Sequence, residues 1–306
     1  MKTTCFLAIL FSAMNGLSQE SVVNRQPLPE NKSILRVDTN LVLVPVTVTD
    51  SRGAVVSNLN SSDFTLAEDK VHQDIISFSY ETAPISLGIL VDLSGSMRYK
   101  IEKVRIAVEA LLKNIEPEDE EFLVTFSDRP ELRWPFTSDI SSIWAALSFA
   151  EPHGRTALFD AVALAAQQMR KAHNRRRVLF LISDGGDNYS RLTKRGLRSL
   201  LDEEDVQIHA IGIHDHAVSR EEVGGPSVLE DLAKMTGGRH HMVENIGELP
   251  ALTAQMSLAL HDRYLLGYKP TPPGVSGAFR RIDVKLIQPK STGRLYVYAR
   301  HGYRMP

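Results

Sequence analysis

The chain has 306 residues, 43% of them hydrophobic and 24% charged, and a formal net charge of -2. These values describe a globular chain long enough for one large or two modest domains, for which disorder is not the default. The near-neutral balance offers no basic field for nucleic acid or an anionic membrane, and the one basic cluster, Arg175 to Arg177, reads as a solvated lead-in to a strand.

Residues 1–18 carry Lys2, an apolar core from Cys5 to Met14, and the small residues Gly16 and Ser18 before Gln19. That pattern reads as a secretory signal peptide cleaved near residue 18, so the chain is expected to be secreted or periplasmic. The apolar core falls far short of the ~20 residues a spanning helix needs, and no later stretch approaches that length, so no membrane span is expected in the mature chain. Cys5, the one cysteine, lies inside this segment and leaves the mature chain without disulfide or thiol chemistry. Residues 19–34, mostly polar with Pro27 and Pro29, read as a flexible leader.

Residues 35–84 form a β segment. Val42, Val44, Val46 and Val48 alternate with Leu43, Pro45, Thr47 and Thr49, giving a strand with one apolar face and, at Pro45, the mark of a sheet edge. Residues 64–66 and 75–79 add short strands, too few to enclose a core alone. From 85 to 262, strand runs alternate with apolar residues at helical spacing over 101–115, 158–169, 228–235 and 248–260. Residues 132–136 read as an antiparallel edge strand. The fold class that follows is α/β, a doubly wound, mostly parallel sheet. Residues 264–268, 281–286 and 295–299 are strand-like again, so 263–306 is expected to pair with 35–84 in a flanking β-sandwich built from both terminal segments.

Within the central domain, the apolar run 87–91 delivers Asp92, Ser94 and Ser96 into one tight, glycine-bearing turn. The carboxyl edge of an open α/β sheet is where ligands bind. One carboxylate and two hydroxyls are hard oxygen donors with too little charge to hold a divalent cation alone, which suggests Mg²⁺ with ligands from elsewhere. Two later segments offer them. Thr156 follows the turn residues Pro152 and Gly154 at a helix start, and Asp184 ends a second buried strand run, 178–182, in a Gly185-Gly186 turn.

This ordered set, an Asp-x-Ser-x-Ser turn, then a Thr, then an Asp, resembles the metal-ion-dependent adhesion site of von Willebrand factor type A domains. The flanking runs 41–50 and 63–66, with Tyr264-Leu265-Leu266-Gly267-Tyr268 and Ala299-Arg300-His301-Gly302-Tyr303, are similar to the acidobacterial VWFA-related domain family, so a bacterial source is implied. The resemblance implies that Asp92, Ser94 and Ser96 form the first metal loop, Thr156 the second and Asp184 the third. It implies Mg²⁺, with Mn²⁺ or Ca²⁺ able to take its place, and a protein partner whose Asp or Glu completes the coordination. No catalytic residue and no further cofactor follow from it.

Plainer readings stand beside these. Asp92, Ser94, Ser96 and Thr156 are all residues that cap helices. Asp187 and Asn188 read as turn formers, and His209, His214 and His216 as loop histidines without zinc spacing. His153 borders the site only by its proximity to Thr156. The alternative function is a metal-dependent hydrolase using the same carboxylates to activate water. Against it, a phosphatase of the aspartyl-phosphate type would have an Asp where Ser94 stands, and Ser94 lacks the leading glycine of a Gly-x-Ser-x-Gly elbow.

Overall fold

The computed structural model describes residues 41–213, 225–287 and 293–305. The expected signal peptide and leader, together with His214 and His216, lie outside the described residues. Eight-residue strand β5 (Ile85–Asp92) is buried along its whole length. It sits inside a six-stranded sheet with β6 (Glu120–Phe126), β7 (Pro130–Thr137), β8 (Arg176–Ser183), β9 (Gln207–Ile213) and β10 (His240–Val243), in the order β10-β9-β8-β5-β6-β7. All neighbours are parallel except β7, which returns antiparallel on β6 at the edge.

Helices cover both faces, as a sheet of near-continuous apolar strands requires. Ile85, Leu87, Ile89 and Val91 of β5 pack in one core with α1 (Ile101–Leu112), α2 (Ile140–Ser148) and α6 (Leu249–Leu258). Leu90 faces the other core, shared with α3 (Leu158–Met169), α4 (Lys194–Leu201) and α5 (Gly225–Thr236). The chain leaves β5 for α1 on one face and leaves β8 for α4 on the opposite face. The loops therefore part at the carboxyl ends of these two neighbouring strands, opening the crevice in which such sheets bind ligands.

Both terminal segments build the second core. One four-stranded sheet runs β13-β1-β11-β4, from β1 (Val42–Thr49), β4 (Ser77–Thr82), β11 (Asp262–Tyr268) and β13 (Tyr296–Ala299). The other runs β14-β12-β2-β3, from β2 (Phe64–Glu68), β3 (Val71–Gln73), β12 (Phe279–Leu286) and β14 (Gly302–Arg304). Each sheet takes strands from both ends of the chain. Val44, Val46, Val48, Tyr264 and Leu266 of the first meet Phe64, Leu66 and Ile282 of the second.

Three expectations need correction. β1 is an interior strand; Pro45 is tolerated because β13 pairs only with Val46 to Thr49, so the residue without an N–H lies beside the ladder's end. Arg176 is not solvated: it is 3% exposed and donates to the carbonyls of His261 and Asp262, tying the sheet to the start of β11. Burial pulls its pKa down to about 9. His209 is a buried β9 residue rather than a loop residue, its Nδ1 3.3 Å from the Arg239 N–H that donates to it, and burial holds the ring neutral.

The same junction holds a buried hydrogen bond between His261 Nε2 and Asp119 Oδ2 at 2.7 Å, while Asp119 also accepts the backbone N–H groups of Ile85 and Glu116. Both passages of the chain between sandwich and parallel sheet are thereby anchored to one carboxylate.

Gly88 sits where β5 meets the second core; a Cβ there would stand 2.4 Å from Phe122 and 2.6 Å from Leu179. Gly88→Ala is expected to cost about 1–3 kcal/mol of folding stability by overpacking, seen as a lower denaturant midpoint with unchanged slope.

Candidate metal centre

β5 and β8 pair in register through Val91 and Ile182, so Asp92 and Ser183 emerge side by side at the sheet's carboxyl edge, with Asp184 one residue on. Asp92 is wholly buried. Its Oδ1 accepts the Ser94 N–H at 2.8 Å and its Oδ2 accepts the Ser183 hydroxyl at 2.6 Å, so the carboxylate is held at both ends. Ser94 Oγ and Ser96 Oγ lie 3.0 Å apart. Ser94 is buried and Ser96 exposed, which opens the cluster to solvent at one point. Asp184, 5% exposed, pairs with the buried ammonium of Lys100 at 3.2 Å.

Loop two closes onto loop one through Gly95 N–H to the Gly154 carbonyl at 3.0 Å, and through His153 N–H to the Leu93 carbonyl at 2.7 Å. Gly154 has φ +71°, and a Cβ there would strike the Asp128 carboxylate at 2.4 Å, so only glycine fits. Loop three grips loop two on both sides. Asn188 Oδ1 accepts the Thr156 N–H at 2.9 Å, and the Thr156 carbonyl accepts the N–H groups of Asn188 and Tyr189. The Thr156 hydroxyl forms no hydrogen bond with any described residue, while both its backbone groups are engaged.

Thr156 is not the cap of α3; Ala157 holds that place. The helix's unpaired N–H groups are met instead from loop three, with Phe159 N–H donating to Asp187 Oδ1 at 3.2 Å and Asp160 N–H to Ser190 Oγ at 3.1 Å. Asp160 reciprocates by accepting the N–H groups of Arg191 and Leu192. Asp187 and Asn188 are thus more than turn formers: they fix where Thr156 sits. His153 stands beside the site with its Nε2 3.2 Å from Ser127 Oγ.

The structure therefore places Asp92, Ser94, Ser96 and Asp184 in one cluster and pins Thr156 between the loops that border it. Ser183, Lys100 and Asp160 carry no signal in the sequence, and Asn188 reads there only as a turn former. Each acts through a partner about thirty to ninety positions away, and no local spacing announces such pairs.

Burial first, and the nearby charge of Asp184 second, push the Asp92 pKa up to about 7 against the hydrogen bonds from Ser183 and Ser94 that lower it. Two carboxylates in one low-dielectric pocket leave negative charge that Lys100 answers at Asp184 and no described residue answers at Asp92. Two serine hydroxyls with the Asp92 and Asp184 carboxylates, and Thr156 on the loop closed onto them, make an all-oxygen set suited to a small hard cation. The donor set fits Mg²⁺. Among the described residues no group of three or more His, Cys, Asp or Glu side chains is placed to hold a metal ion, so a cation here would rest on hydroxyl donors beside two carboxylates.

In the metal-free protein the folded state holds the Asp92 proton at pH values where the unfolded chain has released it. Asp92 thus adds stability below about pH 4 that is lost as pH rises through about 7. Urea titrations of the metal-free chain should show Asp92→Asn gaining on the native protein as pH rises across this window; a difference that does not vary with pH would contradict the burial and repulsion described.

Comparison with known proteins agrees with this architecture. Residues 87–186 match the von Willebrand factor type A domain family. A structure titled von Willebrand factor type A, from Catenulispora acidiphila, superposes with a TM-score of 0.52 at 12% identity, covering 87% of this chain and 74% of that one. Its coverage reaches beyond the parallel sheet into the β-sandwich. The conserved hypothetical protein BatB from Bacteroides thetaiotaomicron is similar at 19% identity and TM-score 0.47, over 56% of this chain and 97% of its own. The vWF domain of the type V pili tip protein Mfa5 from Porphyromonas gingivalis is similar at 12% identity and TM-score 0.46, over 57% of this chain and 94% of its own. No curated protein matches the chain.

Proposed function

Given that the central domain is a von Willebrand factor type A domain, a class of module used generally for protein interaction rather than catalysis, we propose that this chain is an exported binding protein. It holds Mg²⁺ with Asp92, Ser94, Ser96, Thr156 and Asp184. A carboxylate on a protein partner then completes the coordination. Mg²⁺ prefers near-octahedral oxygen coordination and keeps several waters, so an exchangeable position suits a partner's Asp or Glu.

One observation supports this reading above the rest: a buried carboxylate, Asp92, lies close enough to Asp184 to feel its charge, with the Ser94 and Ser96 hydroxyls beside each other in the same turn. Burying such a charge uncompensated costs on the order of several kcal/mol, and a bound cation would offset that cost. The chain's own groups divide the work. Ser183 and the Ser94 N–H orient the Asp92 carboxylate, Asn188 holds the backbone of Thr156, and Lys100 restrains Asp184. Ser96, exposed at the mouth, is where a partner would approach. The segment 1–18 supports export, and no helix among the described residues is long and apolar enough to cross a membrane.

Isothermal titration of the mature chain with MgCl₂ and MnCl₂ tests the reading. Saturable uptake is expected, abolished in Asp92→Asn and weakened roughly tenfold in Thr156→Val, whose backbone contacts survive. No uptake, or uptake equally strong in Asp92→Asn, overturns it.

A further inference from the structure

The two most exposed large hydrophobic side chains among the described residues are Tyr99, 95% exposed, and Phe149, 85% exposed. Neither lies at random. Tyr99 follows Ser96 in the first loop and precedes Lys100, the residue paired with Asp184. Phe149 ends α2 and lines a groove of about 550 Å³ together with Leu93, Ser127, Arg129 and His153, and His153 is the residue whose N–H closes loop two onto Leu93. A folded chain gains nothing from holding two aromatic rings in water, whereas rings of this kind carry binding energy when a partner covers them.

The charges around them are mixed, with the basic ones in excess: the groove also carries Glu131, paired with Arg133, and the exposed Glu151. Arg98, Arg129 and Arg155 are exposed and form no ion pair with any described carboxylate, while the Asp128 carboxylate is occupied by the Arg155 N–H at 2.8 Å. The Arg155 guanidinium lies 4.8 Å over the ring of Tyr189, itself 47% exposed, so a third aromatic joins the rim.

We propose that Tyr99 and Phe149 are apolar anchors on either side of the cation site, and that they select a protein partner presenting an acidic side chain with large apolar neighbours. This rests on the cation site proposed above. The acidic group meets the metal and the arginine-bearing rim, and the apolar neighbours cover the two rings. An acidic residue among polar neighbours would leave both rings in water and bind weakly. That is how the surface would separate its partner from the many exposed carboxylates of other proteins.

The test pans a phage-displayed random peptide library on the mature chain in MgCl₂ and elutes with EDTA. A double variant, Tyr99→Ser with Phe149→Ser, is panned in parallel after titration has shown its Mg²⁺ uptake to equal that of the native chain. The expected peptides carry Asp or Glu beside Phe, Leu, Ile or Met, and bind the double variant roughly tenfold more weakly. Acidic peptides without apolar neighbours, equal binding to the variant, enrichment no greater than on the variant, or chelator-insensitive binding to anionic phospholipid vesicles in place of peptides would each overturn the proposal. Absence of Mg²⁺ uptake by the native chain would overturn the cation reading as well, which separates the two failures.

Discussion

A carboxylate buried at the end of a parallel sheet, with a second one close by, is the constraint on which this site depends. Asp92 and Asp184 leave neighbouring parallel strands at adjacent positions, and the apolar runs before them cannot shift without moving their own core contacts. The repulsion is therefore built in by the register of β5 on β8. Everything around it serves to tolerate that repulsion: Ser183 and the Ser94 N–H on one carboxylate, Lys100 on the other, and an all-oxygen cluster open to solvent at Ser96.

Positioning the remaining donor takes a longer chain of contacts. Thr156 stands on a loop with no regular structure of its own, and it is fixed by exchange with loop three: Asn188 to its N–H, Asp187 to the start of α3, Asp160 back to Arg191 and Leu192. These bonds satisfy N–H groups that a helix start would otherwise leave unpaired, so local helix chemistry and site geometry share the same side chains. At the far end of the sheet, Asp119 with His261 and Arg176 with the His261 and Asp262 carbonyls join the sandwich to the sheet.

Much of the fold was legible because burial writes itself into short apolar runs. The strands ending at Asp92 and Ser183, the antiparallel β7, and the sandwich shared by both terminal segments all follow from apolar patterning and turn residues. Helices α2 and α4 escaped notice. Both are short, nine and eight residues, yet the signal is present: Ile140, Ile143, Trp144 and Leu147 in α2 and Leu197, Leu200 and Leu201 in α4 recur at helical spacing behind the caps Asp139 and Thr193. Pro45, Arg176 and His209 were misread for a shared reason. Each looks like an edge, surface or loop residue by type, and each is placed by contacts that only the assembled sheets supply. The donor residues of the site were legible as an ordered set, while the groups that orient them were not, since Ser183, Lys100 and Asn188 owe their roles to distant partners.

Crystals of the mature chain grown with Mn²⁺ in place of Mg²⁺, with anomalous scattering collected at the manganese edge, would examine the central claim directly. The account predicts one strong anomalous peak within bonding reach of the Ser94 and Ser96 hydroxyls, between the side of Asp92 and the Thr156 hydroxyl. A peak lodged elsewhere on the chain, or none at saturating Mn²⁺, would contradict it.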